Sequence, residues 1–210
     1  MKRRYEIRIP GAALLASVGL LLSTAWARAD TPDLYRQSYV LEAKGDYHGA
    51  LGRMREIAKT AGNSYFVSLR TGWLSYLAGN YESAEARYRE AITAKPAALE
   101  AKIGLTLVLY VAERWKGLET ACKQVLSEDP KHASVRARLA SAYYATGNYP
   151  DAATIYRKLV NAYPGELDYQ TGLGWALQRM GKREEALKHF RGVLAVSPDN
   201  PNALQGLAAK

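Results

Sequence analysis

The residues that most often carry out chemistry in proteins are few in this sequence and lie far apart. Three histidines, His48, His132 and His189, have no second metal ligand at helical spacing, so we predict that they are solvated surface residues. The acidic pair Glu184 and Glu185 fits the first turn of a helix, where carboxylates complement the helix dipole. No Gly-rich phosphate loop follows a predicted strand. We therefore predict no catalytic site, no metal site and no cofactor, and a protein that is not an enzyme.

A fixed period of 34 residues organises most of the chain. The segment 79–96, GNYESAEARYREAITAKP, aligns closely with 147–164 and 181–198, and more loosely with 45–62 and 113–130. A period of this length predicts stacked pairs of amphipathic helices. The copies tile the chain as five repeats, which are 31–64, 65–98, 99–132, 133–166 and 167–200, with 201–210 left as the start of a sixth first helix.

The columns of this alignment give each repeated position a structural role. Small residues are expected where the two helices of a hairpin touch. They occupy position eight (Ser38, Gly72, Thr106, Ala140, Gly174) and most of position twenty (Ala50, Ala84, Leu118, Ala152, Ala186). A left-handed turn is expected at Gly45, Gly79, Gly147 and Gly181, followed by Tyr47, Tyr81, Trp115 and Tyr149 as wedges between hairpins. Pro96, Pro130, Pro164 and Pro198 are expected to end the second helices.

The only cysteine, Cys122, excludes an internal disulfide. It falls in the position-24 column, where the other copies carry Met54, Tyr88, Tyr156 and Phe190. Because large apolar residues fill that column, we predict a buried and unreactive thiol.

The small residue at position eight, Gly at fifteen, Tyr at seventeen, Ala at twenty, aromatic at twenty-four and Pro at thirty-two resemble the tetratricopeptide repeat. The resemblance covers residues 31–200 and implies an all-α fold, a right-handed α-solenoid with a concave groove. Repeat three departs most, with Glu113, Leu118 and Cys122 in place of Gly, Ala and an aromatic residue. We expect altered helix packing and lower local stability there. The short C-terminal cap, 201–210, leaves room for a partner or a second copy to complete the solenoid.

The N-terminal segment differs from the rest in composition. A basic head with Lys2, Arg3, Arg4 and Arg8 precedes an uncharged apolar run over 11–26, and small residues near position 29 suit a peptidase. This layout predicts a signal peptide over 1–29, cleaved near Ala29, and a tetratricopeptide domain over 30–210. An uncleaved membrane anchor is the alternative, although 16 residues fall short of the roughly 20 that a spanning helix needs. The predicted localisation is periplasmic or otherwise exported.

Cleavage would also change the charge. The whole chain carries a formal net charge of +9, and removal of 1–29 would leave 24 basic and 19 acidic residues, a net charge of +5. In residues 30–210 the basic residues are scattered and form no run. We therefore expect no nucleic-acid partner and, after cleavage, no stable membrane span.

The resemblance implies that the first helix of each hairpin supplies the groove. Carrying the groove positions over gives a set of candidate peptide-binding residues: Tyr35, Arg36, Tyr39, Phe66, Arg70, Trp73, Tyr76, Leu107, Tyr110, Arg138, Tyr144, Trp175 and Arg179. Aromatic rings with a few guanidinium groups suit an extended or helical peptide that carries apolar side chains and a carboxylate. Two structural alternatives stand beside this reading. In the first, the tyrosines at position twelve (Tyr76, Tyr110 and Tyr144) pack between neighbouring first helices; in the second, the arginines are solvated surface residues. The carboxylate clamp of co-chaperone repeats is absent, because only Arg138 matches it.

The sequence therefore predicts a non-enzymatic periplasmic scaffold or adaptor. It would bind a peptide segment of an envelope, secretion or maturation partner in its concave groove. Two alternatives remain open, a carbohydrate-binding accessory protein of polysaccharide export and a purely structural subunit of an envelope complex. Self-association through the C-terminal cap is a further prediction.

Overall fold

The computed structural model describes residues 31–209, which form eleven helices joined by short turns. Their bounds are α1 (31–43), α2 (Tyr47–Ala61), α3 (Tyr65–Leu77), α4 (Tyr81–Ala94), α5 (Leu99–Val111), α6 (Trp115–Glu128), α7 (Ala133–Ala145), α8 (Tyr149–Ala162), α9 (Leu167–Arg179), α10 (Arg183–Val196) and α11 (Pro201–Ala208). The last helix has 8 residues and closes the C-terminal end.

The helices alternate between two roles. The odd-numbered ones, the first helices, begin one period apart at residues 65, 99, 133, 167 and 201. Each helix packs on the next in the chain, and the first helices from α3 to α11 also contact one another. The first helices therefore form the inner, concave wall, and the even-numbered second helices form the outer wall. This arrangement confirms the predicted solenoid of five hairpins with a short cap.

The turn inside each hairpin has one geometry throughout the solenoid. At the end of α3 the Gly79 N–H donates to Tyr76 and the Asn80 N–H donates to Ser75, which closes the helix with a left-handed residue. Gly79 has a φ of 74° there. Glu113 takes the same place in repeat three with a φ of 54°, so the turn forms even without glycine. The predicted left-handed turns are confirmed.

The small-residue columns and the prolines also lie where the period predicts. The residues of positions eight and twenty are all buried, including Leu118 in repeat three. Cys122 is fully buried, which confirms the predicted core position, and burial raises the pKa of its thiol to about 12. The four second helices that precede a proline end two residues before it.

The side chain at position 24 of a repeat, which belongs to the second helix, can fill the gap between two first helices. Tyr88 lies between Gly72 and Gly104, where an added methyl carbon would come within 3.2 Å and 2.5 Å of its ring. We call this arrangement an aromatic plug. It recurs for Phe190 with Gly174 and Gly206, and for Tyr156 with Gly172.

An arginine joins the first helices where position 24 is not aromatic. Arg70 of α3 donates from Nε (3.1 Å) and Nη2 (2.9 Å) to Ser38 Oγ of α1. Arg138 of α7 donates from Nη1 to Thr106 Oγ1 of α5 at 2.8 Å. We call this arrangement an arginine clasp. The second helices beside the two clasps carry Met54 and Cys122 at position 24.

The predicted signal peptide, residues 1–29, lies outside the described residues. Within residues 31–209, no helix combines the length and the hydropathy that a membrane crossing requires.

Candidate functional site

One hollow in the concave wall lies among α1, α3 and α5. It has a volume of about 550 Å³ and is lined by Tyr35, Tyr39, Phe66, Leu69, Arg70, Trp73, Tyr88 and Glu100. Three of its rings face solvent, since Phe66 is 66%, Tyr39 58% and Trp73 36% exposed. We call it the first concavity. Large aromatic side chains so exposed on a concave wall are typical of a binding surface.

The charged groups and the indole N–H of the first concavity have partners within the protein. Arg70 forms an ion pair with Glu42 at 2.9 Å, and its guanidinium carbon lies 3.5 Å from the centre of the Tyr39 ring. The Trp73 indole N–H donates to Glu42 at 2.7 Å. Tyr65 donates its hydroxyl to Glu100 at 2.9 Å. The surface that remains for a ligand is therefore mainly apolar.

The second concavity lies farther along the solenoid, between α5 and α11. It consists of two adjoining hollows of about 480 Å³ each that share Tyr110, Ser141, Tyr156, Gly172 and Trp175. The remaining lining residues are Trp115, Ser134, Ala137, Arg138, Tyr144, Ala145, Asp168, Tyr169, Thr171, Asn202 and Gln205. This surface mixes aromatic rings with charged and hydroxyl groups, so it can accept a more polar part of a ligand.

The polar groups of the second concavity are only partly engaged. The Ser141 and Tyr156 hydroxyls are 2.8 Å apart and share one hydrogen bond. Burial raises the pKa of Tyr156 to about 12, so its phenol stays protonated at neutral pH. Arg138 bonds to Thr106 and has no carboxylate partner among residues 31–209. Asp168 lines the same space without forming an ion pair with Arg138.

Nine of the thirteen predicted groove residues line these two concavities. The first concavity receives Tyr35, Tyr39, Phe66, Arg70 and Trp73, and the second receives Tyr110, Arg138, Tyr144 and Trp175. The other four are Arg36, Tyr76, Leu107 and Arg179, which line neither. Arg36 pairs with Asp33 on an exposed turn of α1, and Arg179 donates to the Tyr149 hydroxyl at 2.7 Å.

The tyrosines at position twelve of repeats two, three and four pack against a ring of their own hairpin; they are Tyr76, Tyr110 and Tyr144. The rings of Tyr76 and Tyr81 lie 6.1 Å apart, and those of Tyr144 and Tyr149 lie 5.4 Å apart. Tyr110 makes the equivalent contact with Trp115 at 6.1 Å. The rings of Tyr81, Trp115 and Tyr149 therefore make contacts across their own hairpin turns, and Tyr149 also contacts Arg179 of the next hairpin, as a wedge between hairpins would. The rings at position twelve are partly held as structure and partly open to the groove.

Two residues that the sequence reading assigned to the core also reach the groove. Tyr88 and Tyr156 come from second helices, yet they line the first and second concavities. Their rings reach the groove because Gly104 and Gly172 leave room between first helices. The pairing of an aromatic residue at position 24 with a glycine sixteen residues later is visible in the sequence and could have identified them.

Within the described part of the chain, the side chains that could ligate a metal lie apart. Among residues 31–209, no group of three or more His, Cys, Asp or Glu side chains could hold a metal ion. His48 is exposed, as predicted, but His189 is half-buried and its Nδ1 lies 2.7 Å from Gln170 Oε1. Burial, followed by the charge of Arg157, lowers the pKa of His189. The prediction of a solvated surface histidine is therefore wrong for His189, because a neighbouring first helix covers its ring.

Comparisons with known proteins agree with this geometry. Three tetratricopeptide repeat models match residues 35–98, 119–175 and 167–197, which together span more than half the chain. A comparison with curated proteins finds no match.

Several solved structures share the fold. A MamA fragment from Desulfovibrio magneticus RS-1 has a TM-score of 0.75 and 22% identity, covering 82% of this chain and 98% of that one. YrrB, described as a TPR protein with an unusual peptide-binding site, has a TM-score of 0.72 and 16% identity, covering 84% and 91%. A tetratricopeptide repeat protein from Parabacteroides merdae ATCC 43184 has a TM-score of 0.75 and 15% identity, covering 85% and 71%. The repeat models, the hairpin geometry and these likenesses lead to one conclusion: the chain belongs to the tetratricopeptide repeat family.

Proposed function

We propose that this protein is a non-enzymatic scaffold that binds a segment of another protein in its concave groove. The observation that carries the proposal is the first concavity, where Tyr39, Phe66 and Trp73 expose large aromatic surfaces. Exposed rings on a rigid wall bury much apolar area at a small cost in side-chain entropy when a ligand arrives. Family membership supports this role, because tetratricopeptide repeats bind protein partners.

The chemistry of the first concavity favours apolar side chains of the ligand. Arg70 and Glu42 neutralise each other, and the Trp73 indole N–H is already engaged. A ligand therefore has few polar partners to gain there and much apolar surface to cover. YrrB, which shares the fold, is described as having a peptide-binding site, and this supports a peptide as the ligand class.

Carbohydrate binding is the second candidate, and one observation favours it. Trp73 and Trp175 both line concavities, and indole rings can stack on sugar rings. A sugar also needs hydrogen-bond partners for its hydroxyls. In the first concavity Arg70, Glu42 and the Trp73 indole N–H are already paired with one another. We therefore rank a peptide above a sugar. A purely structural role would leave both concavities empty of any separate ligand.

We further propose that the protein is exported and that its partner is a component of a bacterial envelope, secretion or maturation system. The basic and apolar segment 1–29 supports export. The test is the N-terminal sequence of the protein recovered from cells. We expect a new N-terminus near Ala29 or Asp30, whereas recovery of the intact Met1 terminus would contradict cleavage.

The groove can be tested with a random peptide library displayed on phage and selected on the full chain. We expect enriched peptides rich in apolar side chains. Their binding should weaken about tenfold or more in Phe66→Ser, because a central aromatic contact is worth roughly 1.4 kcal/mol or more. Phe66 is 66% exposed, so its replacement should leave the fold intact.

Val196 offers a matched control for this experiment. It is an apolar residue that is 73% exposed on the second helix α10 and lines neither concavity. Val196→Ser should leave peptide binding unchanged. Equal losses in both variants, or no peptide enrichment together with a tryptophan fluorescence response to oligosaccharides, would overturn the peptide proposal.

A further inference from the structure

The two arginine clasps have different partners although they occupy the same position of their repeats. Arg70 bonds to the Ser38 hydroxyl and also forms an ion pair with Glu42. Arg138 bonds to the Thr106 hydroxyl, which is the counterpart of Ser38 one double repeat later. The counterpart of Glu42 is Tyr110, four residues after the hydroxyl in both cases. The second clasp therefore has a hydroxyl partner, as the first does, but among the described residues no carboxylate partner equivalent to Glu42.

The charge of Arg138 is consequently unbalanced. Burial lowers the pKa of Arg138, and the groups that oppose this are the Cys122 thiol and the phenols of Tyr76, Tyr110 and Tyr169. Thiols and phenols are ordinarily neutral near pH 7, so groups of these kinds do not balance a guanidinium charge. Since a guanidinium remains protonated in proteins, a half-buried positive charge faces the second concavity without a countercharge from residues 31–209.

The donors of Arg138 are available to a ligand. Its Nη1 donates to Thr106 Oγ1 and approaches the Ile103 carbonyl oxygen at 3.5 Å. Its Nε and Nη2 make no hydrogen bond with the described residues. Two parallel N–H donors of this kind form the fork that binds a carboxylate through both of its oxygens.

We propose that Arg138 binds one carboxylate of the partner segment, which takes the place that Glu42 holds beside Arg70. This inference rests on the groove function proposed above and adds the chemistry of the ligand. Asp168 lines the same concavity and would repel a second anion, so the site suits a single carboxylate rather than an acidic run. Tyr110 and Trp175 would cover an apolar group beside that carboxylate.

The carboxylate can be a chain terminus or an Asp or Glu side chain, and three peptides distinguish these sources. They are acetyl-Leu-Phe with a free carboxylate, acetyl-Leu-Phe amide and acetyl-Leu-Glu-Phe amide. Each would be titrated into the full chain and followed by calorimetry and by amide NMR shifts. We expect at least one acidic peptide to bind about tenfold or more tightly than the neutral amide, because hydrogen bonds between a guanidinium and a carboxylate are stronger than those between neutral groups. The stronger of the two acids identifies the source.

Three variants connect this preference to the clasp. Arg138→Gln should abolish the preference for acids. Arg136→Gln, on the same helix α7 but lining neither concavity, is the matched control and should retain it. Tyr110→Glu should abolish it as well, because an internal carboxylate would then occupy the guanidinium as Glu42 does in repeat one. Circular dichroism would establish that each variant is folded, and Tyr110→Glu keeps the test valid if Arg138→Gln does not fold.

Three results would overturn the carboxylate proposal. They are equal binding of acid and amide, no binding of either acid at millimolar concentration, and a preference that survives both Arg138→Gln and Tyr110→Glu. Equal binding of acid and amide in the groove would leave the proposed peptide-binding function intact. Failure of that function would instead show as library-selected peptides whose affinity is unchanged by Phe66→Ser.

Discussion

The aromatic plugs make a specific prediction about one glycine. In the α5 helix, Gly104 faces the Tyr88 ring, and an alanine methyl there would lie 2.5 Å from Tyr88 Cζ. Non-bonded carbon atoms do not approach so closely, so either the Tyr88 ring or the α5 helix must shift. The ring has little freedom, because Tyr88 is 3% exposed. The α3 helix also lies against the opposite side of the ring at Gly72, where an added methyl group would be only 3.2 Å away. We expect Gly104→Ala to destabilise the protein.

Two opposing effects set the size of the change. Alanine favours a helix over glycine by about 0.8–1.0 kcal/mol. Overpacking in a well-packed core costs about 1–3 kcal/mol, and a ring held on both sides places this site in the upper part of that range. The net expectation is a loss of about 1–2 kcal/mol in the free energy of unfolding.

Gly192 supplies the matched control. It lies inside the α10 helix, and an added methyl there meets no atom within 4 Å. Gly192→Ala should therefore stabilise the protein by up to about 1 kcal/mol. Urea unfolding followed by circular dichroism compares the two variants, whose covalent change is identical. Stabilisation by both alanines would refute the plug, because helix propensity alone would then explain the data.

Three further predictions concern single side chains. Glu113→Gly should stabilise the protein by about 1 kcal/mol in urea unfolding, because it removes the cost of a left-handed conformation at a φ of 54°; no gain would contradict a strained turn. At pH 8 a thiol reagent should label Cys122 only after unfolding, because burial raises its pKa to about 12; rapid labelling of the folded chain would contradict burial. His189 has a lowered pKa, so the unfolded state binds more protons, and stability should fall as pH drops through 6.5, the ordinary histidine value. His189→Gln should reduce that dependence, and an unchanged pH profile would count against it.

The period of 34 residues made the fold predictable from sequence. The repeats share the same turn and the same small contact residues, and four of them carry the proline that follows the second helix. Each structural requirement is therefore visible several times in the sequence. Gly79 and Pro96 are examples, because each has one conformational task that hardly depends on its neighbours. Even Glu113, which breaks the glycine column, adopts the expected left-handed turn because the surrounding hairpin imposes it.

The groove was less predictable because its side chains interact between repeats. Position alone placed Arg36, Arg70 and Arg138 in one row, yet one pairs with Asp33, one with Glu42 and one with no carboxylate among residues 31–209. Those outcomes depend on residues at other positions in adjacent repeats. A single column does not contain that information.

Lys102 is a second case of this kind. A lysine on an amphipathic helix is expected to face water, but its side chain is only 7% exposed and pairs with Glu128 at 2.6 Å. The partner lies 26 residues away, at the end of the next second helix. Tertiary packing, rather than the local pattern, decides the position of this charge.

The most direct test of the groove as a binding surface is amide hydrogen exchange, measured on the full chain with and without a library-selected peptide. Binding in the groove predicts slower exchange in the first helices that line the occupied concavity, which are α1, α3 and α5 for the first and α5, α7, α9 and α11 for the second. The second helices α2 and α10, which supply no lining residue, should change little. Protection confined to the second helices would place the ligand on the convex wall and contradict the account.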